Sequence, residues 1–184
     1  MNKKLIGTFF AGLALVGFAS SASAADTVTQ SVTGGTRTAS VVDLDLGSVA
    51  YSHATQSKTG SMTLTTDDSS ATGAGWNVTI LSSAFVYSSG GNGGSEIPAA
   101  NFSLTSAAAP AMTAGQTVDA TDGPKVPSTS PVGTLDSARK TVQANAAFGQ
   151  GTYTQALGVS LSIPAQSRAG VYTGTLTTTV AAAP

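Results

Sequence analysis

The residues that could act chemically are few, and they do not form a recognisable catalytic set. His53 is the one histidine in the 184 residues of the chain. A hydrolytic triad needs a histidine within hydrogen-bond reach of a nucleophile, and a third group that orients the histidine. Serines lie near His53 in sequence, but serine occurs throughout the chain and no G-x-S-x-G elbow is present. We therefore interpret His53 as a surface residue and expect no enzymatic activity.

Six of the eight aspartates occur in three close pairs, which are Asp43/Asp45, Asp67/Asp68 and Asp119/Asp122. Calcium binds about six to eight oxygens, often in Asp-rich loops, and glycosidases act through two carboxyl groups. No pair here matches the EF-hand pattern, and nothing in the sequence selects a glycosidase pair. Asp67 and Asp68 precede a Gly-containing turn, where aspartate commonly accepts backbone hydrogen bonds. The sequence therefore predicts no metal and no cofactor.

Trp76 is the only tryptophan, and it combines a large aromatic surface with an N–H donor. Such a side chain could stack on a ligand or fill a core. Trp76 alternates with Val78 and Ile80, so the three share one face of a strand. We expect this face to be buried and the indole N–H to have a partner within the protein.

Alternation of apolar and polar residues extends far beyond Trp76. The five clearest segments have their apolar positions at Val42/Leu44/Leu46, Met62/Leu64, Trp76/Val78/Ile80, Leu157/Val159/Leu161/Ile163 and Tyr172/Leu176/Val180. Weaker strands are predicted near Thr27–Thr33, Asn101–Thr105 and Ala138–Phe148. Each alternating segment is expected to have one buried face and one solvent-exposed face. The pattern predicts an all-β, antiparallel β-sandwich of immunoglobulin-like or Greek-key type.

The composition and net charge exclude several kinds of site and partner. The chain is 41% hydrophobic and 9% charged, has a formal net charge of −1 and contains no cysteine. These values exclude a disulfide framework, a cysteine-based metal site and a basic surface for nucleic acid.

Two long Gly- and Pro-rich stretches interrupt the alternation in the middle of the domain. Ser88–Ser95 is rich in glycine and serine, and Ala107–Pro131 contains four prolines. We predict a flexible loop for the first and a loop or edge strand for the second. Because long loops on a sandwich often carry binding surfaces, both stretches are candidate contact regions. They contain few charges, so we expect binding to depend only modestly on salt.

The N-terminus has the pattern of a secretory signal peptide. Lys3 and Lys4 precede an apolar stretch of about 15 residues, shorter than the roughly 20 that span a membrane, and Ala22-Ser23-Ala24 follows as a cleavage site. We therefore expect residues 1–24 to be removed after Ala24. Residues 25–184 are expected to form one secreted domain without a transmembrane span.

Two further stretches carry a family resemblance. Residues 67–80 read DDSSATGAGWNVTI, and residues 172–184 read YTGTLTTTVAAAP. Together they resemble the WxL domain of bacterial cell-surface proteins. Gly75, Trp76 and Val78 match its Gly-Trp-x-Leu motif, with valine in place of leucine.

The second family motif is Tyr-x-x-x-Leu-Thr-Trp-x-Leu. Tyr172, Leu176 and Thr177 match it, whereas Thr178 stands at the second tryptophan and Val180 at the last leucine. The resemblance implies non-covalent attachment to the cell wall, through peptidoglycan or companion surface proteins, and no catalysis. With no LPxTG motif in the sequence, we expect non-covalent attachment.

An alternative function remains open. The chain could be a structural subunit of an extracellular fibre, surface layer or matrix, assembled by strand addition. The Thr-rich C-terminal strand is the candidate acceptor for an added strand.

Overall fold

The computed structural model describes residues 27–89 and 93–182. The chain divides into two units, residues 1–32 and residues 33–184. In the first unit, residues 27–32 have no regular secondary structure, so the strand predicted near Thr27–Thr33 is wrong. The predicted signal peptide and its cleavage after Ala24 lie outside the described residues.

The second unit is built almost entirely of β-strands. The described strands are β1 (Arg37–Val41), β2 (Gln56–Asp68), β3 (Trp76–Ser82), β4 (Val86–Ser89), β5 (Phe102–Ala107), β6 (Ala111–Gly115), β7 (Gly133–Thr134), β8 (Arg139–Ala144), β9 (Gly151–Ile163), β10 (Val171–Thr173) and β11 (Leu176–Ala182). A single 3₁₀ turn, Ala99–Asn101, precedes β5 in the described part. No helix in that part is long and apolar enough to cross a membrane.

The strands form antiparallel sheets in which β9 holds the central place. The larger sheet has the order β1-β2-β9-β5-β7, and β6 also pairs with β9. Along its full length β9 pairs with β2, from Gln56↔Ile163 to Asp68↔Gly151. Its other edge is shared between β5 and β6. A second sheet has the order β11-β3-β8, and β10 pairs with β4 in a two-stranded ribbon.

One hydrophobic core joins side chains of both sheets. Its members on the larger sheet include Leu64, Leu104 and Val159, and those on the smaller sheet include Val78 and Val142. The alternating positions predicted for β2, β3 and β9 point into this core. The predicted all-β antiparallel sandwich is therefore confirmed.

A bulge explains why two successive residues of β8 are buried. The pairing of β3 with β8 shifts register between Val78 and Thr79. Thr141 is the extra residue, so it and Val142 both lie inside. Such a bulge bends the strand locally and lets β8 follow β3 around the core.

The first predicted strand is displaced. β1 ends at Val41, and Val42 is 69% exposed instead of inward-facing. Leu44 and Leu46 are half-buried and pack on the core, but they lie in an irregular segment. The backbone turns there because the Asp45 carboxylate accepts a hydrogen bond from the Gly47 N–H at 2.7 Å.

The Pro-rich stretch Ala107–Pro131 is more tightly packed than the sequence indicates. It contains the edge strand β6, as predicted. Further along, Pro124 is buried, and the backbone of Lys125 exchanges two hydrogen bonds with Gln143, at 2.8 and 3.0 Å. This part of the stretch is therefore held against β8 by backbone pairing.

An ion pair organises the turn that leads into β3. Arg37 Nε lies 3.1 Å from Asp68 Oδ2, and the two side chains are 15% and 2% exposed. Arg37 Nη2 also donates to Thr72 Oγ1 and to the Ala74 carbonyl, both at 2.8 Å. The Asp68 Oδ1 accepts from the Ser70 N–H at 3.0 Å. One arginine thus ties β1 to the end of β2 and to the turn before Trp76.

The Arg37→Ala variant should be strongly destabilised, because it leaves the Asp68 carboxylate buried without its partner. Breaking a largely buried pair in this way costs about 3 kcal/mol of unfolding free energy. Denaturant unfolding checks this, with Arg168→Ala, the loss of an exposed arginine, as the matched control. Coincident unfolding curves for the two variants would contradict the role given to the pair.

Candidate functional site

Trp76 lies in the core and does not face solvent. The side chain is 1% exposed, and its indole Nε1 donates to the Gly149 carbonyl at 3.0 Å. The Tyr153 ring packs beside it with a centroid distance of 6.3 Å. The register of β3 therefore predicts the burial of Trp76 correctly, and the indole N–H has the partner that burial requires.

Two glycines make room for this arrangement. Gly149 has φ of +77°, and a Cβ there would lie 2.8 Å from Trp76 Nε1. At Gly75 a Cβ would lie 2.7 Å from the Ala144 carbonyl oxygen. A larger residue at either position would displace the backbone or the indole. The glycine before the tryptophan thus serves packing between β3 and β8.

Tyr153 extends the buried cluster to the edge of the sandwich. Its hydroxyl donates to the Gln116 carbonyl at 2.7 Å. Burial raises the pKa of the Tyr153 phenol, and the negative charge of Asp68 raises it further. The phenol therefore stays protonated and keeps its donor role at neutral pH.

The structure brings the two motif strands side by side. β11 pairs with β3 so that Val180 lies opposite Val78, and Thr178 lies opposite Ile80. Leu176 is half-buried against the core, and Thr177 is exposed. The residues of both motifs on these strands therefore contribute to one sheet.

Thr178 connects the edges of the two sheets. It is half-buried, and its Oγ1 donates to the Ala39 carbonyl of β1 at 3.1 Å. A hydroxyl contact thus occupies the place that the resemblance assigns to a second tryptophan.

Tyr172 is the motif residue that lies apart from the others. It sits in β10, and its ring meets the Tyr87 ring edge-on at a centroid distance of 5.3 Å. The Tyr172 hydroxyl donates to the Arg168 carbonyl at 3.0 Å. The pair of tyrosines fixes the segment that precedes β10.

This segment forms one wall of a surface groove. The loop groove, as we call it, lies between residues 44–52 and residues 164–172 and has a volume of about 780 Å³. Its apolar floor is formed by Phe85, Ile97, Leu161 and Ile163. The Gln166 N–H donates to the Ser52 carbonyl at 2.9 Å, which joins the two walls.

The groove combines aromatic edges with balanced charge. Tyr51 and Tyr172 line it, and Tyr51 is 58% exposed. Among the described residues of the lining, the charged ones are one acid and one base, Asp45 and Arg168. Pockets of this size, mostly apolar with a few polar groups, take small ligands or parts of larger ones. Apolar and aromatic surface without net charge suits the faces of neutral sugar rings.

The two loops predicted as contact regions differ in their relation to the groove. At Gly94, in Ser88–Ser95, a Cβ would lie 2.7 Å from both the Tyr172 hydroxyl and the Tyr87 ring. This end of the loop therefore packs on the tyrosines beside the groove, whereas residues 90–92 lie outside the described residues. Ala107–Pro131 contributes no residue to the lining.

The groove and the buried tryptophan lie at opposite ends of the sandwich. Tyr153 of β9 contacts Trp76, whereas Leu161 of the same strand belongs to the floor of the groove. At about 3.4 Å per residue, the two ends of this strand segment are roughly 27 Å apart. A ligand in the groove therefore does not reach Trp76.

At least one aspartate of each pair accepts hydrogen bonds, within a turn or between strands. Asp119 Oδ1 accepts from the Thr121 and Asp122 N–H groups at 2.7 and 2.8 Å. These two bonds lower the pKa of Asp119. Asp67 Oδ1 accepts from the Thr152 hydroxyl at 2.7 Å and so connects β2 to β9. These hydrogen bonds give the carboxylates that accept them a structural role in the fold.

A family model described as WxL domain surface cell wall-binding matches residues 19–184. No curated protein and no solved structure matches the chain.

Replacing Trp76 by alanine should destabilise the fold by about 3–5 kcal/mol, because it empties a large core site and leaves the Gly149 carbonyl without its donor. Thermal or denaturant unfolding measures this loss. The exposed aromatic variant Tyr51→Ala serves as the control, with an expected change of less than about 0.5 kcal/mol. A Trp76→Ala protein that unfolds like the parent would show that the indole is no core residue.

Proposed function

The chain belongs to the WxL family of surface cell wall-binding domains, and on this basis we propose that it is a secreted, non-catalytic protein that attaches non-covalently to peptidoglycan. Companion surface proteins are the alternative partners. The match extends over residues 19–184, which supports one wall-binding domain in residues 25–184 after loss of the signal peptide.

N-terminal sequencing of the native protein should begin at Ala25, and a start at Met1 would contradict export with cleavage.

The loop groove is the observation that carries this proposal. Trp76, the most conspicuous motif residue, is buried and has no surface to offer a ligand. The groove, in contrast, exposes Tyr51 beside an apolar floor. We assign the glycan strand of peptidoglycan to the groove, with a sugar face on Tyr51. The motif residues Gly75, Trp76, Val78, Tyr172, Leu176 and Thr177 then support the fold that holds the groove.

The charge of the groove argues against an electrostatic mode of attachment. Asp45 and Arg168 oppose each other in sign, and Asp45 already accepts the Gly47 N–H. Screening by salt acts mainly on exposed charge pairs. Attachment through this groove should therefore persist in moderate NaCl.

A second candidate function is favoured by the open edges of the sheets. β11 and β6 each lie at the edge of a sheet in the described part of the chain. Such edges accept added strands, as a subunit of a fibre or surface layer requires. The Thr-rich edge of β11 is partly occupied, since Thr178 donates to Ala39 of β1. Edge addition is therefore better supported at β6 than at the C-terminal strand.

The Tyr51→Ala variant should bind purified sacculi more weakly, because a ring–sugar contact is lost. Burying about 40 Å² of ring face contributes about 1 kcal/mol at roughly 25 cal/mol per Å², which is roughly fivefold in Kd. Sedimentation of the protein with sacculi measures the bound fraction. Leu81→Ala, which removes an exposed apolar side chain from β3, is the matched control and should bind like the parent.

Two results of this assay would contradict the proposal. Unchanged binding by Tyr51→Ala together with weakened binding by Leu81→Ala would place the contact on the outer face of β3. Complete release of the parent protein by moderate NaCl would indicate a charge-driven attachment in place of the groove.

A further inference from the structure

The segment Thr27–Thr33 has the sequence of a strand but forms none. Five of its seven residues are β-branched, and none is charged. Val28 and Val32 lie on the same side of an extended chain. They are 98% and 83% exposed. A strand-forming segment with both of its apolar side chains in water is suited to pairing with a sheet edge.

β6 offers such an edge. All five of its residues, Ala111–Gly115, are exposed, and none is charged or a proline. In the described part of the chain β9 is the only strand that pairs with β6. Although its pairing with β9 shifts register between Met112 and Ala114, an exposed edge without charge or proline is a template for an additional strand.

The other sheet edges are less open. β7 has two residues, and β8 contains Arg139 and Lys140. β11 and β1 are linked by the Thr178–Ala39 hydrogen bond. Short strands, charges and covering contacts are the usual ways in which an edge is protected. Of these described edges, β6 is the one that is longer than two residues and carries neither a charge nor a covering contact, and its protection is limited to the register shift between Met112 and Ala114.

The length of the chain favours an acceptor on another molecule. Gly35 is held at the end of β2 by its N–H, which donates to the Ser69 carbonyl at 2.7 Å. At this end of the sheet Arg37, Asp68, Gly151 and Gly115 are successive partners across β1, β2, β9 and β6. A strand added beside β6 would lie four inter-strand spacings from β1, which is about 19 Å. Crossing that distance takes about six extended residues. Too few residues of Thr27–Thr33 would then remain to pair with β6 of the same copy.

We propose that Thr27–Thr33 of one copy adds as a strand to β6 of a second copy. Backbone hydrogen bonds along the edge would supply the affinity, and Val28 or Val32 would cover the exposed side chain of Met112. Donor and acceptor are different surfaces, so each added copy presents a new free edge. Such a head-to-tail contact produces an open chain of subunits, or a ring where the rotation between copies closes it. The loop groove lies at the other end of β9, so each subunit remains free to bind a ligand there.

The first test measures assembly in protein that lacks residues 1–24. The described core lies in the separate unit of residues 33–184, so removal of these residues leaves it intact. Light scattering coupled to size-exclusion chromatography should show oligomers that grow with protein concentration. The double variant Thr29→Pro/Gln30→Pro should remain monomeric, because proline removes the backbone donors of adjacent residues. The control Thr29→Ala/Gln30→Ala keeps these donors and should assemble like the parent.

The second test locates the acceptor edge. The chain has no cysteine, so single cysteines can be introduced without background. A mixture of Val28→Cys and Met112→Cys proteins should form a disulfide-linked heterodimer under mild oxidation, at least tenfold faster than Val28→Cys with Leu81→Cys.

Three results would overturn the proposal. The first is a parent protein that stays monomeric at every concentration. The second is assembly that persists in the double proline variant. The third is cross-linking of Val28→Cys to Thr177→Cys of β11 in preference to Met112→Cys, which would place the acceptor at the C-terminal strand. None of these results concerns sacculus binding, so the proposed function is tested separately.

Discussion

The structure depends above all on the pairing of β9 along both of its edges. One edge pairs with β2 over 13 residues, and the other is shared by β5 and β6. A chain with no cysteine and few charges has neither disulfides nor extensive ion-pair networks to stabilise it. Sheet pairing and core packing must therefore supply the stability. Because β9 contacts Trp76 near one end and the loop groove near the other, the same strand positions the core and the candidate site.

The buried indole gives the family motif a structural meaning. Trp76 requires a carbonyl partner and a neighbour without a side chain, and Gly149 provides both. Val78 in place of leucine keeps an apolar residue in the core, and Thr178 in place of tryptophan makes a hydroxyl contact to β1 instead. These substitutions preserve the sandwich. Trp76 therefore belongs to the core, whereas Tyr172 is a motif residue that lines the proposed contact surface, the loop groove.

Much of the fold could be predicted from local periodicity, whereas the candidate site could not. The alternation of apolar and polar residues predicts the positions of β2, β3 and β9 and the burial of Trp76, because the face on which a strand residue lies follows from its neighbours two residues away. The irregular path of Leu44–Leu46 depends on a turn at Asp45 that alternation does not report. The groove joins Tyr51 to Arg168 across most of the chain. Tyr51 and the motif residue Tyr172 both line it, but they lie far apart in the sequence, and neither reveals that the two share one surface.

The most direct test of this account uses Trp76 as the sole tryptophan emitter. Acrylamide quenching of its fluorescence should be measured in free protein and in protein bound to sacculi. We predict weak and equal quenching in both, because the indole is buried beside Gly149 and Tyr153, and Tyr153 lies about 27 Å along β9 from Leu161 in the floor of the groove. Strong quenching in the free protein that disappears on binding would show that Trp76 itself contacts the wall, and would contradict the account.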